Sequence, residues 1–378
     1  MASPENGERL GATVLLGKGL TPGKLRGLQR ISNPAGTLTM LALDQNSSVI
    51  EMACKALRAR GEDREPTYEE IVDAKLDLMR NLAPAASGVL IDAYYGAWSA
   101  IASEAIPPDT GLLVRYEMSG SPKNKVRARW RPSSRAGASP RSSGWAPDAL
   151  KLLAQFEPTE PDSAEHSFRL IETVYEECKR HDLLLLLETV SFPFGGEKKT
   201  DASYLDRKPR TVIESARQLS RFCDIYKAEF PGTAGREPAA QHEDNLHALD
   251  AASERPWVLL SAGVDFRDYL AQVEQAMGVG ASGILGGRAI WKEYFLQEGA
   301  GARSRFAATT ARERLAELDA LVRERGTPWF ARYGFSREEL RSIRAAEGWH
   351  ARYASRGQDA PARSGPGRHR RRSLLIRR

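Results

Sequence analysis

Eight short apolar runs, each separated from the next by a stretch long enough for a helix, limit this chain more than any other feature. They read TLTMLAL (37–43), GVLIDA (88–93), LLVRYE (112–117), ALKLLAQF (149–156), LLLLLET (183–189), IYKAEF (225–230), WVLLSAG (257–263) and GILGG (283–287). Near-continuous apolar strands belong to a sheet covered on both faces. Strands alternating with helical stretches build parallel β/α units. Eight units is the count of a closed (β/α)8 TIM barrel, so the expected fold class is α/β. The barrel is expected over 31–330, after an N-terminal extension (1–30) and before a C-terminal helical extension (331–355). A doubly wound open sheet gives the same alternation, and the count of eight argues against it.

Helix signals lie between the runs. Thr67 and Glu70 form a capping box ahead of Ile71, Ala74, Leu78 and Leu82, which share one face. Pro161 and Asp162 precede a long segment to Arg180 with Phe168, Ile171 and Tyr175 at helical spacing, and residues 311–325 read as a further amphipathic helix. No apolar run approaches the ~20 residues of a membrane span. The N-terminus lacks a charged region followed by an apolar stretch and cleavage site. Cys54, Cys178 and Cys223 are odd in number, without metal or redox spacing. A cytoplasmic protein is expected, with no membrane partner.

The net charge of +6 is unevenly placed. Residues 121–145 hold seven Lys or Arg and no acid, and residues 356–378 hold eight Arg against one Asp, so the rest of the chain is net acidic. The 121–147 segment falls where a barrel helix should join the third and fourth strands, yet it has no apolar period. Two readings stay open: a disordered basic insertion, or local reading-frame errors in a GC-rich gene. Translating the other two frames separates them. The basic tail (356–378), expected to be disordered, lacks interleaved aromatics and any binding module, so it supports only weak, nonspecific attraction to nucleic acid.

Catalytic groups of a barrel sit at the C-terminal ends of strands and point inward, so polar residues that interrupt the apolar runs are the informative ones. Asp44 ends the first run, Lys151 interrupts the fourth, Glu188 ends the fifth, and Lys227 with Glu229 interrupts the sixth. Strand alternation puts Lys227 and Glu229 on one side, opposite Tyr226, Ala228 and Phe230. Buried charges are costly unless paired. The set is therefore either a structural ion-pair network in the barrel mouth or a nucleophile with its helpers. In the second case a lysine, ordinarily titrating near ~10.4, is made nucleophilic by burial and a neighbouring cation. Lys151 can be that cation for Lys227, with Glu188 as proton shuttle and Asp44 as a second acid/base at a substrate hydroxyl.

The last two strands end in Ser261 and Gly263, and in Gly286, Gly287 and Arg288 before AIWKEYF. Barrels often bind phosphate here, although glycines also mark tight turns. Two other patterns are set aside. GVGASG (278–283) matches a dinucleotide-binding spacing but follows an expected helix and precedes a strand, the reverse of the required order. His242 and His247 fit no zinc spacing and are expected to be solvated loop residues.

LALDQ (41–45), LIDAYYG (90–96), GLLVRYE (111–117), DALKLL (148–153), LLLET (185–189), YKAEFP (226–231), LLSAGV (259–264) and GILGGRAIW (283–291) together resemble the tagatose-1,6-bisphosphate aldolase family of class I aldolases. The related sulfofructose-phosphate aldolases are similar at the same places. The resemblance spans about 37–300 apart from 121–147. It implies Schiff-base catalysis with no cofactor and no metal, and dihydroxyacetone phosphate as one product. It assigns Lys227 to the imine, Lys151 to the neighbouring lysine, Glu188 to the acid/base and Asp44 to the strand-one acid. Ser261, Gly263, Gly287 and Arg288 match its phosphate site. One departure concerns substrate: family members carry Arg directly after the Asp-Gln pair, where this chain has Asn46, Ser47 and Ser48. The far end of the substrate is expected to differ, with Arg115 or Lys123 as candidate substitutes. A sulfofructose-phosphate-type aldolase and a non-catalytic sugar-phosphate-binding barrel are the alternatives, and homo-oligomerisation is left open.

Overall fold

A computed structural model describes residues 11–117, 147–345 and 347–350. Residues 121–146 of the atypical segment, with Lys123, and the basic tail at 356–378 lie outside the described residues. Each of the eight runs is a strand: β1 Leu38–Ala42, β2 Gly88–Ile91, β3 Gly111–Arg115, β4 Ala149–Gln155, β5 Leu184–Val190, β6 Ile225–Ala228, β7 Trp257–Leu260 and β8 Gly283–Gly286. They form a closed barrel in sequence order. All neighbours are parallel, and β8 returns to β1 through Leu38↔Gly283 to Leu41↔Gly286. This is the (β/α)8 barrel expected from the count of eight.

The helices are α1 Ala12–Gly17, α2 Pro22–Arg30, α3 Ser47–Ala59, α4 Tyr68–Leu82, α5 Ala97–Ala102, α6 Pro161–Arg180, α7 Ala202–Leu219, α8 Ala239–Ala252, α9 Phe266–Val279 and α10 Arg288–Trp291. After them come α11 Gly299–Phe306, α12 Arg312–Arg325, α13 Trp329–Arg332 and α14 Arg337–Ser342, with a π-helical turn over Ala307–Ala311 between α11 and α12. The capping box at the start of α4 forms as read, Thr67 taking the Glu70 N–H and Glu70 the Thr67 N–H. At α6 the cap is Glu160 rather than Asp162. Its carboxylate accepts from Ser163 N at 2.8 Å, and Pro161 fills the first helical position, where no N–H is needed.

Strand alternation sorts the apolar residues into two layers. Leu41, Val89, Leu150, Tyr226, Leu259 and Ile284 face the helices. Met40, Leu90, Leu113, Leu186, Ile225 and Leu285 fill the barrel. The interior layer continues downward into Leu28 and Ile31 at the end of α2 and into Trp329, Tyr333 and Phe335, so the N-terminal ends of the strands are plugged from both chain ends. A buried Lys24–Asp224 pair, with oxygens at 2.8 and 2.9 Å, ties α2 to the start of β6. This plug leaves the opposite, C-terminal end of the barrel for chemistry.

Glycine closes the seam between β8 and β1. At Gly283, φ is +149° and an added Cβ would stand 1.9 Å from Leu38 O. The GVGASG stretch is thus the turn from α9 into β8, a packing device in the order helix then strand. Among the described residues no helix is long and apolar enough to cross a membrane.

Candidate active site

Above the apolar filling, the inward positions turn polar one step later on each of four strands. Arg115, Lys151, Glu188 and Lys227 share the parity of Leu113, Ala149, Leu186 and Ile225, and the register places Arg115 beside Lys151 and Glu188 beside Lys227. Asp44 and Glu117 lie just past the paired ends of β1 and β3. Parallel strands closed into a ring thereby aim six charged side chains at one mouth.

Lys151 is the hub. Its Nζ stands 3.0 Å from Asp44 Oδ2, 3.0 Å from Glu117 Oε1 and 2.9 Å from Glu188 Oε2, and it is almost wholly buried. Lys227 Nζ donates to the same Glu188 Oε2 at 3.1 Å. Glu117 is fixed in turn by Leu153 N at 2.9 Å, and Arg115 donates to Asp44 O at 2.7 Å. Burial alone would lower the Lys151 ammonium, but Asp44, Glu117 and Glu188 outweigh it and hold it well above the usual lysine range. Burial would likewise raise Asp44, yet Lys151, Lys227 and Arg115 hold it far below the usual carboxylate range. Glu188 is lowered despite burial, by Lys151 and Lys227. Among the described residues the mouth thus keeps a cation held by three carboxylates and a second amine that touches one of them, Glu188.

All four expected residues, Asp44, Lys151, Glu188 and Lys227, therefore meet. Glu229 does not join them: β6 ends at Ala228, and Glu229 Oε2 accepts from Ser191 N at 2.6 Å and Ser191 Oγ at 2.7 Å. Sequence reasoning missed Glu117, although it shares the parity of Leu113 and Arg115. It also missed a second buried network. Lys75 of α4 donates to Asn46 Oδ1 at 2.8 Å and pairs with Asp92 Oδ2, while Asp92 Oδ1 takes the N–H groups of Tyr94 and Tyr95 at 2.9 and 2.7 Å. Asn46 is held by this network, and Arg115 is engaged at Asp44, so both positions singled out at the far end of the mouth are tied into place.

Across the mouth, Gly287 N donates to Ser261 Oγ at 3.3 Å. Gly263 has φ +80°, and a Cβ there would lie 3.2 Å from the Arg288 guanidinium carbon. Lys292 donates to Gly263 O and Val264 O, both at 3.3 Å. Ser261, Gly263, Gly287 and Arg288 therefore form one cradle, in which glycine lets the guanidinium lie flat on the turn. The expectation for His242 and His247 needs correcting. Both are on α8, and His242 is buried, edge-on to Phe230 and 3.2 Å from Glu237 Oε2. Its neighbour Gly232 leaves just enough room for the ring.

A closed parallel barrel with a buried lysine pair and an arginine–glycine cradle at its C-terminal mouth has the form of a (β/α)8 aldolase. The family model described as DeoC/LacD family aldolase matches residues 38–293, and the chain belongs to that family. It is 31% identical over 335 residues to a tagatose 1,6-diphosphate aldolase of Streptococcus agalactiae serotype V (strain ATCC BAA-611 / 2603 V/R), covering 82% of this chain and 99% of that one. To the tagatose 1,6-diphosphate aldolase of Listeria monocytogenes serotype 4a (strain HCC23) it is 28% identical over 337 residues, covering 83% and 96%. Among solved structures, a Schiff base forming fructose-1,6-bisphosphate aldolase is similar in fold, with a TM-score of 0.50 at 17% identity over 79% of this chain and 99% of that one.

Proposed function

We propose that this aldolase is a class I ketose-bisphosphate lyase. It cleaves tagatose 1,6-bisphosphate, or a ketose phosphate close to it, to dihydroxyacetone phosphate and an aldehyde through an imine on Lys227. The observation that carries the reading is that Lys151 and Lys227 meet on one oxygen of Glu188, above the apolar filling of the barrel. The activity named for the two bacterial relatives supports the choice of sugar.

An amine attacks a carbonyl only as the free base, which makes the two lysines unequal. Three carboxylates keep Lys151 charged, whereas Lys227 touches one. Lys227 first passes a proton to the Glu188 carboxylate that it touches, and its free Nζ then adds to the ketone carbon. Glu188, in contact with that nitrogen, relays the protons as the carbinolamine loses water and becomes the imine. The imine then accepts the electron pair of the breaking carbon–carbon bond. Asp44, held ionised, takes the proton of the hydroxyl on the departing carbon, which leaves as the aldehyde. Protonation of the enamine carbon and addition of water to the imine release dihydroxyacetone phosphate and return the free lysine. Ser261, Gly263, Gly287 and Arg288 hold the phosphate of the ketone half, by backbone N–H groups and a guanidinium. The three free cysteines fit a reducing, cytoplasmic setting.

The test is a coupled assay for dihydroxyacetone phosphate released from tagatose 1,6-bisphosphate, with and without EDTA. The reading predicts turnover that EDTA leaves unchanged. Activity abolished by EDTA and restored by a divalent metal would contradict it.

A further inference from the structure

Gln155, the last residue of β4, carries an acceptor that no group among the described residues uses. It is 7% exposed, and its Oε1 is buried without a hydrogen-bond donor. Buried polar atoms are nearly always satisfied, because a bare one forfeits its hydration. The strand end itself is firmly held: Ser167 Oγ donates to Gln155 O at 2.7 Å and Phe156 N to Val190 O at 3.2 Å. The unused oxygen therefore hangs from a firmly held strand end rather than from a loop.

Its position says what it faces. Gln155 shares the parity of Lys151, which points into the mouth, while Leu152, Ala154 and Phe156 pack on the helix side. Leu153 pairs with Glu188 and Gln155 with Val190, so Gln155 stands two residues, or about 7 Å, above the level of Glu188. In a ring ordered β1 to β8, β4 is also diametrically opposite β8, where Gly287 and Arg288 lie. A ketose phosphate anchored at β7 and β8 with its carbonyl at Lys227 extends its remaining carbons toward the β1–β4 wall. An amide oxygen only accepts, so the partner of this atom there is a donor such as a hydroxyl.

We infer that Gln155 is a specificity-determining residue that accepts a hydrogen bond from a hydroxyl on the aldehyde half of the substrate, an inference that rests on the aldolase reading above. The enzyme selects sugars hydroxylated beyond the bond it breaks, and a deoxy analogue leaves the buried acceptor bare. The experiment runs the reaction in the condensing direction, offering dihydroxyacetone phosphate with either D-glyceraldehyde 3-phosphate or 3-phosphooxypropanal, which lacks only the hydroxyl next to the aldehyde. The unaltered enzyme should favour the hydroxylated aldehyde by about 10- to 100-fold in kcat/KM. Gln155→Met, similar in shape but with no acceptor oxygen, should reduce that preference to within about threefold, and Gln155→Glu should keep it. Gln155→Ala gives the same readout if the methionine variant does not fold. In parallel, borohydride with dihydroxyacetone phosphate alone should trap an adduct on Lys227 in all variants. An unchanged preference in Gln155→Met with normal trapping overturns the inference while sparing the aldolase reading. Absence of the adduct in the unaltered enzyme overturns the reading itself.

Discussion

Lys151 and Lys227, on β4 and β6, reach across β5 to the same atom, Glu188 Oε2, at 2.9 and 3.1 Å. One carboxylate oxygen thus joins two lysines in a site walled by apolar strands, and their remaining contacts make them unequal. Lys151 is additionally held by Asp44 and Glu117, whereas Lys227 has Glu188 as its one carboxylate contact among the described residues, as the proposed nucleophile requires.

Lys151→Met removes the one cation shared by three buried carboxylates. Breaking a buried ion network by deleting one partner costs about 3–5 kcal/mol, and urea unfolding should show a loss of that size. Glu117→Gln keeps the hub charge and should cost less, about 1–2 kcal/mol. A Lys151→Met loss under about 1 kcal/mol would mean that the cluster does not hold the mouth together.

The same network sets the pH response. Asp44 and Glu188 are depressed in the folded state, so their contribution is present above the ordinary carboxylate range and is lost as pH falls through their folded values. Lys151 is raised, so its contribution is complete below the ordinary lysine range and is lost only as pH rises beyond it. Stability from urea midpoints should be flat near neutrality and fall below about pH 4. In Lys151→Met the fall below pH 4 should shrink, because Asp44, Glu117 and Glu188 then face one another with only Lys227 and Arg115 to offset them and protonation relieves part of that repulsion.

Much of this was legible in the chain because its cause is local. Eight apolar runs gave eight strands, and Lys151, Glu188 and Lys227 stood out as the polar residues that interrupt or end them, whereas alternation also grouped Glu229 with Lys227, beyond the point where β6 ends. Glu117 was hidden because it lies past the last paired residue of β3, where alternation is no longer guaranteed. Lys75 was hidden for a different reason: the apolar face read for α4 ran through Ile71, Ala74, Leu78 and Leu82, and only the packing of α4 against the loops after β1 and β2 buries its neighbour. His242 sits on α8, whose sequence AAQHEDNLHALDAA has too weak an apolar period to announce a helix. The pairing of Asp92 with Lys75 is a tertiary fact that no spacing along the chain encodes.

Gly263→Ala tests the phosphate cradle. Its φ of +80° disfavours any side chain, and the new Cβ would press on the Arg288 guanidinium at 3.2 Å. The strain is about 1–2 kcal/mol, and the displaced arginine should raise KM for the phosphorylated substrate by about tenfold or more with a smaller change in kcat. Steady-state kinetics would separate this from a fall in kcat alone, which would place the phosphate elsewhere.

Gly283→Ala tests the barrel closure. A Cβ 1.9 Å from Leu38 O cannot be accommodated by side-chain movement, since the obstacle is the backbone of β1. The variant should unfold in urea at least about 3 kcal/mol earlier or fail to accumulate as folded protein. Wild-type stability would contradict the β1–β8 register.

Which nitrogen carries the substrate decides the mechanism. Borohydride reduction in the presence of tagatose 1,6-bisphosphate or dihydroxyacetone phosphate, followed by peptide mass spectrometry, reads that directly. A reduced three-carbon phosphate adduct on Lys227, absent in Lys227→Met and retained in EDTA, is the predicted result. An adduct on Lys151 or Lys75, or none in a preparation that turns over substrate, would contradict it.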